Sequence, residues 1–229
     1  MRPIARVRTG LPDKFALPRQ SGRVEELKGL IVFEPPFRDR NALKGLEGFS
    51  HIWVLWVFDR ARRDNWSPTV RPPRLGGNRR VGVFATRSPF RPNPIALSCV
   101  RFDGFFESGS EGLCLRVSGV DMADGSPVLD IKPYIPYADA KAGASGGWAE
   151  REKGHALRVR MEKELPDGLS DDEKRAIVRL LEEDPRPAYI DDPGRVYGVR
   201  FAGYDVRFRV EGGEAILTDV LREDGPWRT

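Results

Sequence analysis

The chain has 229 residues, enough for one domain of moderate size and a smaller second one. Hydrophobic residues make up 40% of it and charged residues 31%, so it can bury a core and stay soluble. Its most apolar run, residues 52–58, has only the length of a strand, which argues against a membrane-spanning helix. The N-terminus is positively charged but has no apolar signal segment behind it, so we expect a cytoplasmic protein.

The net charge of +4 is unevenly distributed. Residues 1–145 carry a balance of +8 and residues 146–229 a balance of −4. The segment 60–91 holds nine arginines against one acidic residue. Because arginine forks onto phosphate oxygens and stacks on bases, this excess predicts a polyanionic partner rather than a merely solvated loop. We assign to RNA contact the arginines Arg71, Arg74, Arg79, Arg80 and Arg91 of this segment, together with Asn93 just beyond it.

Two cysteines and two histidines give no metal motif. Cys99 and Cys114 fall in predicted strands, where buried free thiols are expected in a reducing compartment. Together with His51 and His155 they lack the short spacings of a zinc site. We therefore expect no bound metal.

The first part of the chain is predicted to be mainly β. Residues 37–46 are expected to form a short helix and residues 60–78 a long functional or mobile loop. No long amphipathic helix alternates with the strands, so the pattern predicts a β-barrel and not a doubly wound sheet. The predicted strands are residues 1–8, 28–34, 50–58, 81–84, 95–102, 113–120 and 128–134.

A second, smaller domain is predicted after a flexible stretch of small residues, 141–147. This divides the chain into residues 1–145 and 146–229. Ser170 and Glu173 form a capping-box pattern that begins a helix, which Asp184-Pro185 ends. With strands at residues 157–161, 196–201, 205–210 and 214–221, the pattern predicts a small antiparallel sheet covered by that helix.

The most specific stretch is residues 82–98, Gly-Val-Phe-Ala-Thr-Arg-Ser-Pro-Phe-Arg-Pro-Asn-Pro-Ile-Ala-Leu-Ser. Pro92 and Pro94 fix their own φ and keep the residues before them out of the helical region. Arg91 and Asn93 therefore lie on a stiff loop between two strands, a good place to hold a ligand. The stretch closely resembles the signature of the TsaA/TrmO family, which consists of S-adenosylmethionine-dependent tRNA methyltransferases. Members methylate N6 of threonylcarbamoyl-adenosine beside the anticodon.

The cofactor prediction depends on this resemblance, because the glycine-rich turn of common methyltransferases is absent. Four further segments are similar to the family, at residues 18–20, 49–53, 124–134 and 184–189. The resemblance implies a SAM-binding barrel whose methyl-donor contacts are Pro18, Arg19, Gln20, His51, Ile52, Arg87, Leu97, Asp124, Gly125, Ser126 and Pro127. The turn 124–127 would offer backbone amides and carbonyls to the adenine, and Arg19 or Arg87 would pair with the carboxylate.

The resemblance also implies a homodimer with tRNA spanning the subunits, and target-side contacts from Arg186 and Tyr189. The sequence departs from the family at Ala96, where glycine is common, and at Ser126, where threonine is common. Because alanine has a Cβ and glycine has none, Ala96 would leave less space for a close approach to the backbone at this position.

The residue that accepts the N6 proton is left open. His51, Asp130 and Tyr134 are candidates, and Asp130-Ile-Lys-Pro-Tyr134 is similar to the Asp-Pro-Pro-Tyr motif of unrelated amino-methyltransferases. Two other functions stay open beside tRNA methylation. One is a methyltransferase with the same donor and a small-molecule acceptor, and the other is a non-catalytic RNA-binding barrel.

Overall fold

The computed structural model describes the chain except for residues 62–64, 73, 74, 76–78, 152–155, 187–191, 193 and 224–229. The strands of the first part are β1 (Ala5–Thr9), β2 (Lys28–Phe33), β3 (His51–Val57), β4 (Thr69–Val70), β5 (Val81–Gly82), β6 (Ile95–Ser108), β7 (Gly112–Ser118) and β8 (Pro127–Pro133). Six of them form a closed antiparallel barrel in the order β1-β2-β7-β6-β3-β8, in which β8 pairs back with β1. β4 and β5 form a separate two-stranded ribbon. The mainly β prediction is confirmed.

The barrel follows from the alternation of its strands. In β3 the side chains of Ile52, Val54 and Trp56 are buried, while the residues between them are at least partly exposed. Because successive side chains of a strand point to opposite faces, one face of β3 fills the barrel and the other faces outward. Burying the first face provides the main stabilisation of the strand.

The helix predicted in the first part of the chain is wrong in form. The helix predicted over 37–46 is replaced by short 3-10 turns at Pro35–Phe37, Arg40–Leu43 and Leu46–Gly48. Gly45 adopts φ of +90°, a left-handed conformation that ends any helical path between the second and third turns. A continuous helix therefore cannot form here.

The strands that flank the Pro-rich loop also differ from the prediction. The strand expected over 81–84 stops at Gly82, and Val83–Ala85 forms a 3-10 turn. β6 is instead longer than expected and reaches Ser108, because it pairs with β7 beyond a bulge between Phe102 and Gly104. Gly104 takes φ of +110° at that bulge.

The C-terminal part is a sheet covered by a helix. Its elements, with two short helices before them, are α1 (Pro136–Asp139), α2 (Trp148–Arg151), β9 (Arg158–Met161), α3 (Asp171–Glu182), β10 (Tyr197–Phe201), β11 (Tyr204–Glu211) and β12 (Glu214–Arg222). The capping box of Ser170 and Glu173 is present at the start of α3, as predicted. The sheet order is β10-β11-β12-β9, and β9 runs parallel to β12.

The parallel pair corrects the prediction of an all-antiparallel sheet. The chain leaves β9, passes through α3 and returns through the antiparallel β10, β11 and β12. A crossover that includes a helix brings the last strand back beside the first in the same direction. The sequence pattern of four short strands did not reveal this return.

The two parts are packed together. Their buried residues belong to one hydrophobic cluster, and Ala202 donates its N–H to the Gly10 carbonyl at 3.0 Å. Arg23 contacts Glu183 at 2.6 Å, and Arg200 contacts Asp13 at 2.5 Å. Among the described residues, no helix has the length and apolar character needed to cross a bilayer.

Gly119 holds the loop 18–23 against the barrel. It has φ of +75°, and its carbonyl accepts a 2.8 Å hydrogen bond from Gly22 N–H. A Cβ at Gly119 would lie 3.1 Å from Gly22 Cα. We expect Gly119→Ala to lower the free energy of unfolding by roughly 1–3 kcal/mol, from the strained φ and the close contact. Urea unfolding measures it, with Gly109→Ala as control because a Cβ there meets no atom within 4 Å. Equal losses in the two variants would contradict this interpretation.

Candidate active site and RNA-binding cleft

The loop 86–94 is held by its own hydrogen bonds. Thr86 donates its hydroxyl to the Val83 carbonyl at 2.7 Å and accepts from Ser88 N–H at 3.2 Å. Arg91 folds back and donates to the Thr86 carbonyl at 3.0 Å. The stiffness predicted from the two prolines is thus reinforced by side chains, and Arg91 helps to shape the loop in which it lies.

Arg87, on the same loop, contacts a second predicted donor-binding segment. Its guanidinium donates to the side-chain oxygen of Gln20, while Arg87 itself stays exposed. Residues 67 positions apart in the chain are thereby brought together as the resemblance implies. Leu97 lies on the outward face of β6 with 49% of its surface exposed, so it is accessible to a ligand.

A buried hydrogen-bond network underlies this region. Trp56 donates its indole N–H to the Ser98 hydroxyl at 2.9 Å, and Ser98 donates to the Asp121 carboxylate at 2.6 Å. The backbone N–H of Ser21 also donates to Asp121, and the Ser21 hydroxyl accepts from Cys99 N–H at 3.0 Å. The network therefore joins β3, β6, the loop 18–23 and the loop after β7.

The Asp121 carboxyl group has an unusual protonation behaviour. Burial raises its pKa from 3.8 to about 6, although the Ser98 hydroxyl, its own N–H and Ser21 N–H favour the charged form. The positive charge of Arg87 also favours the charged form. Sequence reasoning missed this network, because only the fold brings residues 21, 56, 98 and 121 together.

The turn 124–127 differs from what the resemblance implied. Its N–H groups are occupied inside the protein: Asp124 donates to the Leu11 carbonyl at 2.9 Å and Gly125 to the Val7 carbonyl at 2.8 Å. Ser126 N–H bonds to the Ala123 carbonyl at 3.2 Å, and Pro127 has none. The expectation that this turn offers amides to an adenine is therefore wrong. Its carbonyls keep acceptor capacity, since each has two lone pairs.

Several predicted contacts have buried side chains. Ile52 is fully buried and points into the barrel, and Ser126 is 2% exposed. Pro18 and Pro127 are also buried. These residues can contact a ligand only through exposed backbone or after a local movement, whereas Gln20, Arg87 and Leu97 present side chains directly.

His51 and Tyr134 form an aromatic cluster at one end of β3. Their ring centroids lie 6.3 Å apart, and Tyr134 also packs 5.7 Å from Trp53. His51 is exposed, and its Nδ1 lies 2.9 Å from the Ser50 hydroxyl. Tyr134 N–H donates to the His51 carbonyl at 3.0 Å, which fixes the pair across the two strands.

The carboxylate of Asp139, in the segment after β8, forms hydrogen bonds that hold this cluster in place. Asp139 accepts from the Trp53 indole at 3.0 Å and from Ile135 N–H at 2.8 Å. These two donors hold the pKa of Asp139 below its usual value, the backbone N–H having the larger effect. Cys99 lies opposite Trp53, and burial, together with the charge of Asp139, raises the pKa of its thiol. Cys99 is thus poorly suited to act as a thiolate nucleophile.

Of the three candidate proton acceptors, His51 and Tyr134 lie together and Asp130 lies apart from them. Asp130 lies across from Leu55, which in turn lies across from Leu97, so Asp130 is roughly 10 Å from Leu97 along the sheet. His51 is four residues from Leu55, a distance of roughly 13 Å along β3. Asp130 also forms a 2.8 Å ion pair with Lys132. Asp130 therefore belongs to a different part of the sheet from the pair of His51 and Tyr134.

An open cleft of about 1230 Å³ adjoins the Pro-rich loop. Four of the predicted RNA contacts line it, namely Arg71, Arg80, Arg91 and Asn93. The aromatic residues Trp66 and Phe90 line it as well, and Trp66 is 53% exposed. Exposed Arg79 is not among the lining residues, and Arg74 lies outside the described residues. The cleft combines cations with stacking surfaces, as nucleic-acid sites do.

The described part of the C-terminal motif, Asp184 to Arg186, lies by the first predicted donor loop and is not among the described lining residues of this cleft. Arg186 forms a bidentate ion pair with Asp184, with N–O distances of 2.8 and 2.9 Å. Arg19 donates to the Asp184 carbonyl at 3.2 Å. Tyr189 lies outside the described residues. The motif therefore meets the segment 18–20, an arrangement that the sequence did not predict.

No metal centre is found in the parts of the chain that the structure describes. They contain no group of three or more His, Cys, Asp and Glu side chains able to hold a metal ion. Cys99 and Cys114 are free thiols, and burial raises the pKa of both.

The pKa of Asp121 predicts a specific pH dependence of stability. Because the folded pKa of about 6 exceeds the ordinary 3.8, the folded protein keeps a proton that the unfolded chain has lost between these values. The free energy of unfolding therefore falls as pH rises through this window, by roughly 3 kcal/mol from this group. Asp121→Asn removes the titration, so its stability relative to the parent protein should rise over the same range. Urea unfolding between pH 4 and pH 7 measures this, and parallel curves for the two proteins would contradict it.

Comparison with known proteins identifies the family. Residues 6–140 match the model of the tRNA-methyltransferase O N-terminal domain, and residues 155–223 match the TrmO C-terminal domain. The tRNA (adenine(37)-N6)-methyltransferase of Escherichia coli K12 is 41% identical over 215 residues, which cover 90% of this chain and 91% of that protein.

Two proteins of Pseudomonas aeruginosa extend the similarity. A putative S-adenosylmethionine-dependent methyltransferase, RcsF, is 44% identical, with 97% of each chain covered. A crystal structure of TrmO superimposes with a TM-score of 0.76 at 36% identity, covering 95% of this chain and 96% of that one. Both halves of the chain and its fold thus agree with one assignment: the chain belongs to the tRNA-methyltransferase O family.

Proposed function

We propose that this protein transfers a methyl group from S-adenosylmethionine to N6 of threonylcarbamoyl-adenosine at position 37 of tRNA. Family membership gives the coarser statement, that the chain is an S-adenosylmethionine-dependent tRNA methyltransferase. It favours an enzyme over the non-catalytic RNA-binding barrel. The threonylcarbamoyl group, the residues of the site and the cytoplasmic location are proposals.

The residues around Arg87 fit the methyl donor in charge and polarity. S-adenosylmethionine supplies an electrophilic methyl group on a cationic sulfur when it is bound. Arg87 is an exposed cation suited to a carboxylate, Gln20 adds a polar side chain, and exposed Leu97 offers an apolar surface to an adenine ring. The carbonyls of Asp124 and Gly125 can accept a hydrogen bond from an amino group.

One observation carries the proposal: the loop 86–94 connects Arg87, which we assign to the donor site, with the arginine-rich cleft. Arg87 near its start contacts Gln20, whereas residues 89–94 line the arginine-rich cleft. A tRNA held in the cleft would therefore place a base beside the donor. Such placement matters because the lone pair of an exocyclic N6 is delocalised, and alignment can lower a barrier by roughly 7–11 kcal/mol in favourable cases.

Proton removal from N6 is assigned to one of the three candidates His51, Tyr134 and Asp130. His51 and Tyr134 lie at one end of the outward face of β3, and Asp130 lies nearer Leu97. An N6 atom placed near Leu97 would favour Asp130, and one placed at the end of β3 would favour His51 or Tyr134.

A homodimer is part of the proposal. The outward face of the barrel exposes apolar side chains next to the cleft, with Ile95 at 37% and Leu97 at 49% exposure. Leu55 and Val57 lie beside them on β3. Apolar surface of this kind is typical of interfaces, and a second copy would bring a second arginine-rich cleft toward the same tRNA.

The proposal predicts methyl transfer into only one of two tRNA pools. Purified protein is incubated with labelled S-adenosylmethionine and tRNA that either carries or lacks the threonylcarbamoyl group. We expect label only in the first pool, at N6 of adenosine 37, because the modified base is the intended acceptor. Nucleoside analysis identifies the labelled product. Label in neither pool, with donor binding intact, would overturn the substrate assignment and favour the small-molecule alternative.

The cleft makes a separate prediction for RNA binding. Arg71→Glu combined with Arg80→Glu should raise the KM for tRNA at least tenfold, because two phosphate contacts become repulsive. The salt dependence of tRNA binding should also weaken, by roughly 0.7 to 0.9 in slope for each lost contact. The Kd for the donor should stay unchanged, since both residues line the cleft and Arg80 bonds to Thr69, while the described contacts of Arg87 include Gln20.

The matched control reverses two exposed arginines elsewhere. Arg158 and Arg222 lie on the C-terminal sheet, so Arg158→Glu combined with Arg222→Glu changes the net charge equally. If both double variants bind tRNA alike, the cleft is not the RNA site. An unchanged rate with a small acceptor would instead support the small-molecule alternative.

A further inference from the structure

We infer that the buried network of Trp56, Ser98, Ser21 and Asp121 positions the methyl-donor site. Ser98 and Asp121 are positioning residues in this view: they hold the segments that contact the donor and do not touch it themselves. The inference rests on the proposed function, because it takes Arg87, Gln20 and Leu97 as the donor contacts. None of the four network residues was assigned a role from the sequence.

The network fixes each donor-contacting segment at one point. Ser21 follows Gln20 directly, Ser98 follows Leu97 directly, and Asp121 precedes the turn 124–127 by three residues. The Ser98 to Asp121 bond of 2.6 Å and the Ser21 bond to the same carboxylate tie these segments to one anion. Trp56, whose side chain lies inside the barrel, is joined to this network by its 2.9 Å hydrogen bond to Ser98. A shift of Asp121 would therefore move all three segments relative to one another.

The charge of Asp121 is felt by Arg87, one of the proposed donor contacts. Four groups act on the carboxyl, namely the Ser98 hydroxyl, its own N–H, Ser21 N–H and the guanidinium of Arg87. Arg87 is the only cation among them, and it lies on the separate loop 86–94. Burying a carboxylate costs more free energy than filling the same space with an apolar side chain. A purely structural role would not require this charge, whereas orienting an arginine does.

A second serine–aspartate pair gives a matched comparison. Ser118 is 2% exposed, Ser98 is 1% exposed, and the Ser118 hydroxyl donates to the carboxylate of Asp103. Asp103 is paired with Arg101 at 2.7 Å, on the part of β6 that pairs with β7. The two serines match in burial and in their bond to a carboxylate, although Asp103 is exposed and Asp121 is partly buried. The described hydrogen bonds and ion pairs of the Ser118 and Asp103 side chains join them to each other and to Arg101, outside the predicted donor segments. The comparison separates loss of a buried hydrogen bond from loss of donor positioning.

The test compares Ser98→Ala with Ser118→Ala in the full-length protein. Calorimetric titration gives the Kd for S-adenosylmethionine, and urea unfolding gives the stability. We expect similar losses of stability, because each variant deletes one buried hydroxyl. Ser98→Ala should raise the donor Kd and the donor KM about tenfold, with the KM for tRNA within about twofold. Ser118→Ala should leave the donor Kd unchanged. Equal donor Kd values in the two variants would overturn the inference.

Two further variants keep the test decisive. If Ser98→Ala fails to fold, Trp56→Phe removes the indole donor to Ser98, and Asp121→Asn removes the charge while keeping an acceptor oxygen. Each of these two variants should raise the donor Kd, and no change in either would overturn the inference.

A variant of Arg87 itself, Arg87→Ala, distinguishes failure of the proposed donor site from failure of the positioning role. If it leaves donor binding intact, the proposed donor site is wrong. If it weakens binding while the network variants do not, only the positioning role fails.

Discussion

The structure depends on how the backbone N–H and C=O groups along the unpaired edge of β6 find hydrogen-bond partners. Residues 95–100 pair with β3 on one side, but β7 begins to pair only at Arg101. Buried N–H and C=O groups must find partners, and an uncovered edge in the interior would cost free energy. The loop 18–23 covers this edge, as Ser21 accepts from Cys99 N–H and Gly22 donates to the Gly119 carbonyl. Because Gln20 belongs to the loop that covers this edge, it is brought into contact with Arg87.

The proposed donor site therefore lies where strand pairing in the barrel is incomplete. Where β6 and β7 diverge, two loops and the carboxylate of Asp121 fill the gap. The loop 86–94 leads from this gap to the arginine-rich cleft, so the proposed donor contacts and the proposed RNA contacts share a rigid support. Residues placed on a rigid support need little ordering when ligands bind.

Local patterns predicted much of the fold but little of the network. The alternation in β3 and the capping box at Ser170 act over a few residues, so the sequence reveals both. The same alternation could have shown that Ile52 faces the core and Leu97 faces outward. By contrast, Asp121 meets Ser21 and Ser98 only after the barrel closes, and β9 pairs with β12 only through a crossover. No local pattern records such long-range pairs.

The turn 124–127 gives the clearest link between local bonding and specificity. Its amides donate to Leu11, Val7 and Ala123, so the turn presents acceptors and no backbone donors. The carbonyls of Asp124 and Gly125 accept from Arg60 and Arg6, which leaves each a second lone pair. Adenine carries an amino group at C6, whereas a base with a carbonyl there would face these oxygens unfavourably. Hydrogen bonds that hold the turn to β1 thus also leave it suited to an adenine ring in the proposed donor site.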